Sequence, residues 1–142
     1  DRSENLVNGF ARDYHMDCEL AATKDGKIQA FKVRHGTESL AYRIIAKNKK
    51  LCYSGDSAYC KELIEVCKNV DLAILDSTGP KEWKLLGHMT GEEAGKLAQK
   101  ANIKKLILTH IANIYLNRAK KDAKKFYKRK IIIAKDLMKI KI

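Results

Sequence analysis

Three short apolar runs restrict the folds open to this chain more than any other feature. They are Asp71–Asp76 (DLAILD), Lys104–Thr109 (KKLILT) and Lys130–Ala134 (KIIIA). Each has strand length and is apolar enough for a buried strand. Between them lie segments of helical period. Ala58–Asn69 carries apolar residues at Leu63, Ile64, Val66 and Cys67. Thr90–Ala101 places Ala94, Leu97, Ala98 and Ala101 on one face and opens with Thr90 and Glu93 in capping-box spacing. Asn117–Lys128 reads as a third, basic helix. Upstream, Ile28–Arg34, Ala41–Ala46 and Lys49–Ser54 read as strands, with a hairpin at Lys47–Lys50. Leu137–Ile142 reads as a last strand. Thr78–Gly87 is a loop that holds the one proline, Pro80, and the one tryptophan, Trp83. Strands alternating with helices predict an α/β layered fold.

The 142 residues suit one domain, and a 45% hydrophobic composition with a single proline excludes a disordered chain. No apolar run reaches the ~18 residues of a membrane span. The opening Asp1–Val7 is polar and acidic, unlike a secretory signal. The net charge of +12 favours anionic partners. It is concentrated in residues 118–141, where eleven Lys/Arg face only Asp122 and Asp136. That segment is either a solvated lysine face or a contact surface for a phosphate backbone. Cys18, Cys52, Cys60 and Cys67 form no CxxC, so they are read as reduced, buried small hydrophobes, consistent with a cytoplasmic protein.

Polar residues stand where the strands end. Asp56 follows Leu51–Ser54, Asp76 closes Asp71–Leu75, and His110 closes Leu106–Thr109. Sites in α/β sheets gather at the carboxyl ends of strands, so these three are expected at one sheet edge. His35 ends another strand. His88 precedes a helix N-terminus, where backbone N–H groups favour an anion. His and Asp side chains together suit zinc, manganese or iron. Asp56 could instead be a helix cap or turn residue. His15 belongs to no such pattern and is read as a surface residue.

The segments HGTESLAYRI (35–44), YSGDS (53–57), ILDST (74–78), GHMTGEEAGKLA (87–98), KKLILTHI (104–111) and IIIAKDLMKIKI (131–142) occur in an order that resembles the metallo-β-lactamase fold. They are most similar to its ribonuclease Z-like phosphodiesterase branch. The resemblance runs from Ile28 to the C-terminus. It implies a four-layer αββα fold, of which this chain looks like the C-terminal half. It implies His35 and His110 as metal ligands, Asp56 as a carboxylate bridging two zinc ions in the complete domain, and His88 as the group acting on the phosphate or leaving group. Manganese or iron could take the place of zinc. Asp76 would orient His88, and Tyr42 and Arg43 would be structural. The activity implied is hydrolysis of phosphodiester bonds, in a tRNA 3′ end or a small phosphodiester, by metal-activated water.

The sequence departs from that pattern in three places. The defining HxHxDH ligand motif is absent. A single incomplete domain over residues 1–142 is therefore expected, inactive until completed by a missing N-terminal half or another chain, and prone to self-association as a homodimer. His35 and Asp56 are only 21 positions apart, which leaves no room for the tRNA-gripping insertion of short-form ribonuclease Z. After His110 the chain reads Ala112-Asn113-Ile114-Tyr115, where the tRNA-cutting branch often has Ser-x-Arg-Tyr. Two other readings stand beside this one. One is a thioester or lactone hydrolase of the same fold. The other is a basic module that binds nucleic acid or a partner without catalysis.

Overall fold

A computed structural model describes residues 26–36, 38–83 and 86–142. The readings of His15 and Cys18 fall outside these residues. Six strands form one sheet: β1 (Lys27–Val33), β2 (Ser39–Ala46), β3 (Lys49–Tyr53), β4 (Leu72–Asp76), β5 (Lys105–Thr109) and β6 (Lys130–Ile133). Their spatial order is their chain order. The pairs β1–β2 and β2–β3 are antiparallel; β3–β4, β4–β5 and β5–β6 are parallel. The β2–β3 turn is made by Lys47 and Asn48, both with positive φ (46° and 62°). Two such residues give a tight hairpin whose twist matches that of its strands.

Each parallel step crosses over through a helix: α1 (Lys61–Val66), α2 (Gly91–Lys100) and α3 (Leu116–Lys124). All three are shorter than their apolar periodicity suggests, because the periodicity runs on into the capping turns. Cys60 and Cys67 cap α1, and Thr90 and Ala101 cap α2. The predicted capping box is formed. Thr90 Oγ1 accepts from Glu93 N (3.1 Å), and Glu93 Oε2 accepts from Thr90 N (2.9 Å).

The helices pack on one face of the sheet. Ala41, Cys52, Ala73, Leu75, Leu106, Leu108 and Ile131 point from the strands into a single buried cluster with Leu63, Val66, Leu97, Ala98 and Ala123 of the helices. Packing between α2 and α3 is close because small residues face each other. A Cβ built on Gly91 or Gly95 would collide with the backbone of Ala119 or Ala123. The Tyr115 hydroxyl fastens the same two helices, accepting from Gly91 N (3.2 Å) and donating to Asp122 Oδ2 (2.9 Å). Burial raises the pKa of that hydroxyl, and the Asp122 carboxylate adds to the effect. Tyr127 ties the end of the helical layer to the sheet by donating to Ile103 O (2.8 Å).

The opposite face of the sheet is also apolar. Leu51, Leu72, Ile74 and Ile107 line a cavity of about 350 Å³ together with Met138, Ile140 and Ile142 of the C-terminal segment. The expected strand at Leu137–Ile142 is therefore corrected. The chain turns after β6, with Met138 N donating to Lys135 O (3.2 Å) and Leu137 at φ 59°. It then lies across the sheet without pairing to it. Its alternating apolar residues suit a strand, but a strand needs a neighbour to take its backbone hydrogen bonds, and among the described residues none pairs with it. Among the described residues there is thus one helical layer and one sheet, two of the four layers that the resemblance implies.

Candidate metal centre

The carboxyl ends of β1, β3, β4 and β5 deliver four of the five residues of interest to one edge of the sheet. His35 follows β1, Asp56 follows β3, Asp76 ends β4 and His110 follows β5. His88 arrives from the loop before α2. One donor atom each from His35, Asp56 and His88 lies within 4.8 Å of the others. His110 Nε2 is 3.9 Å from Asp56 Oδ2. The imidazole of His88 lies between the other two: its ring centroid is 4.8 Å from that of His35, edge on, and 5.1 Å from that of His110, stacked.

Backbone geometry brings these groups in. His110 has a left-handed backbone, φ 54°, which turns its side chain off the line of β5. Non-glycine residues held there store conformational strain, and such strain concentrates at functional sites. Gly87 has φ 79°, and a Cβ on it would lie 2.6 Å from His35 Nδ1. The glycine lets its own carbonyl approach, so that His35 Nδ1 donates to Gly87 O (2.9 Å). That bond fixes the tautomer and leaves Nε2 of His35 with a free lone pair. Gly55, at φ 58°, packs against the Leu40 carbonyl in the turn that presents Asp56. Ser39 Oγ holds the same turn by donating to Asp56 O (2.7 Å).

Asp76 plays a different part. Its carboxylate is wholly buried and accepts four hydrogen bonds. Oδ1 takes Thr78 N (3.0 Å) and Thr78 Oγ1 (2.7 Å), and Oδ2 takes Ser57 N (3.1 Å) and His88 Nδ1 (2.8 Å). A buried carboxylate this well supplied is held firmly in place. It orients His88 and leaves Nε2 of that ring as the atom free for ligand or substrate. The hydrogen bond that His88 donates to Asp76 raises the His88 pKa. Burial opposes the rise, and the charges of Asp76 and Asp56 reinforce it.

The donor set fits a divalent metal of the zinc, manganese or iron class. Two or three imidazole nitrogens and one carboxylate converge, and at least one imidazole has its second nitrogen committed to a backbone carbonyl. The compact three-donor group contains His88, where the sequence gives priority to His110. His110 stands beside it, against Asp56. Sequence reasoning did not single out Gly55 or Gly87 as builders of the site, nor Ser57 and Thr78 as partners of Asp76. A glycine immediately before the Asp, and another before the His, was the available signal.

A family model described as the beta-lactamase superfamily domain matches residues 6–111. The chain belongs to this superfamily. Among curated relatives of this superfamily domain, the ribonuclease Z of Archaeoglobus fulgidus is 38% identical over 103 residues, 68% of this chain and 33% of that protein. Among solved structures, the metallo-β-lactamase fold protein YhfI of Bacillus subtilis is 29% identical, with a TM-score of 0.73 over 78% of this chain and 47% of that one. The short form of human tRNase Z shares the fold at 24% identity, with a TM-score of 0.64 over 84% of this chain and 44% of that one. The superfamily domain described here spans about a third of the length of the curated relatives it matches. Within the superfamily its sequence is ribonuclease Z-like. Among its described residues no helix is long and apolar enough to cross a membrane.

Proposed function

We propose that this chain carries part of the active site of a zinc-dependent phosphodiesterase that acts on RNA 3′ ends or on small phosphodiesters. One observation carries the reading: donors of His35, Asp56 and His88 converge, with His110 against Asp56 and Asp76 holding His88, at the carboxyl edge of the sheet. His35, Asp56 and His110 would hold the metal, and donors from outside the described residues would complete its shell. When bound, the metal polarises the phosphate and lowers the pKa of an attacking water. Asp56 would supply the carboxylate charge that partly neutralises a bound metal. His88 is the proton donor to the leaving alkoxide, through Nε2. Asp76, held by its four partners, keeps the His88 ring in register and keeps the proton on its Nδ1.

Substrate breadth follows from what surrounds the site. Only 21 positions separate His35 from Asp56, and β2 and β3 occupy most of them, so no long arm extends from this part of the chain. Lys120, Lys121, Lys124 and Lys128 are exposed on and after α3 and form no ion pair with an acidic group among the described residues, a surface suited to a phosphate backbone. Asp122, by contrast, is tied to Lys125 (2.7 Å) and Arg118 (3.2 Å).

The test is hydrolysis of bis-p-nitrophenyl phosphate and of a tRNA precursor by metal-supplemented full-length protein that includes an HxHxDH ligand motif, with and without Asp56→Ala. Turnover that the substitution abolishes supports the reading. A wild-type rate in the variant overturns it. RNA affinity unchanged by Asp56→Ala but lost on neutralising Lys120, Lys121 and Lys124, with no turnover in any form, would favour a binding module instead.

A further inference from the structure

A second pair of reactive groups lies on the helix side of the sheet, away from the histidine cluster. Cys52 sits in β3 and Cys67 is the residue that caps the end of α1. Their sulfurs are 2.7 Å apart, with nothing between them. Both residues are fully buried in the main apolar cluster. The third described cysteine, Cys60, is at the other end of α1 and makes no sulfur–sulfur contact. The pairing is specific: one strand thiol meets one helix-end thiol 15 positions further along the chain, with the whole of α1 between them.

We propose that Cys52 and Cys67 form an intrachain cystine when the protein folds in the presence of a small-molecule disulfide. In the first step one cysteine thiolate attacks a sulfur of the small disulfide and expels a thiolate, giving a mixed disulfide. The second cysteine then attacks the protein sulfur of that bond and expels the other small thiol. Two cysteine thiols are oxidised, one small disulfide is reduced to two thiols, and the two cysteine protons end on those thiols. Burial, with the neighbouring Cys52 thiol, keeps Cys67 protonated in the folded protein. Exchange therefore belongs to the folding chain, or to an opening that separates α1 from β3. Once formed, the bond ties the strand that leads to Asp56 to the helix that follows it.

The experiment folds the full chain in oxidised glutathione, blocks remaining thiols, and analyses a tryptic digest without reduction. Cleavage after Lys50, Lys61 and Lys68 places Cys52 and Cys60 in residues 51–61 and Cys67 in residues 62–68. The expected product is a cross-linked pair of these two peptides, fragmenting through Cys52. It should persist in Cys60→Ser and vanish in Cys52→Ser. The cross-linked protein should unfold several degrees higher than the reduced one, as closing a loop of this size predicts, with the difference removed by dithiothreitol. Three results would overturn the proposal: no cross-linked peptide from wild-type protein that gives a cooperative unfolding transition, a cross-link through Cys60, or identical unfolding temperatures for the two forms.

Discussion

His88 Nδ1 donates to Asp76 Oδ2 over 2.8 Å, and the receiving carboxylate is fixed by three further hydrogen bonds. This pair links the buried core of the sheet to the chemistry at its edge. It also raises the pKa of His88, chiefly through the hydrogen bond to Asp76.

The pair predicts a titration. Asp76 raises the His88 pKa, so in metal-free protein the ring stays protonated to a higher pH than a free histidine. The stability this contributes is complete below the unfolded histidine value and is lost as pH rises through the raised folded value. Histidine ring NMR should show a midpoint above the ordinary range for His88, returning toward it in Asp76→Asn. An unchanged midpoint in the variant would show that Asp76 does not set the proton.

Removing the Asp76 carboxylate altogether is a larger change. Asp76→Ala strands the N–H groups of Ser57 and Thr78 in a buried place, at a cost of about 3 kcal/mol. Urea denaturation should detect it as a lower midpoint with an unchanged slope.

Gly87 allows no side chain. Gly87→Ala would press a methyl group onto His35 Nδ1 and force a left-handed backbone on alanine. A stability loss of at least about 1 kcal/mol is expected. Zinc affinity should fall as well, because the bond from His35 to the Gly87 carbonyl sets that ring. Calorimetric zinc titration separates the two effects.

Thr90 offers a control away from the metal centre. Thr90→Ala removes the hydroxyl of the capping box and should cost about 1 kcal/mol. Zinc affinity per folded molecule should not change, and a fall in it would mean that the N-terminus of α2 reaches into the site.

Much of the fold was legible because its determinants are local. Leu72–Asp76 and Lys105–Thr109 are short and apolar throughout, and Thr90 with Glu93 announces the start of α2. The segment after β6 was misread for the opposite reason. Met138, Ile140 and Ile142 alternate as a strand would, but pairing depends on a neighbour that local sequence does not specify. At the metal centre, residue types and strand-end positions pointed to His35, Asp56, Asp76, His88 and His110. The resemblance assigned them roles. Their relative placement was not legible. That His88 stands between His35 and His110, and that Gly87 packs on His35, depends on the loop before α2 folding back over the sheet edge. The contact between Cys52 and Cys67 was hidden in the same way, since a spacing of 15 residues says nothing until α1 docks on the sheet, against β1 and β2, and brings its end to Cys52.

The most direct test follows the histidine ring signals while zinc is added to the protein, in wild type and in Asp56→Asn. The account predicts saturable shifts of the His35 and His110 signals in wild type and their loss in the variant. Absence of shifts in wild type, or the same shifts in Asp56→Asn, would contradict a metal centre built on these residues.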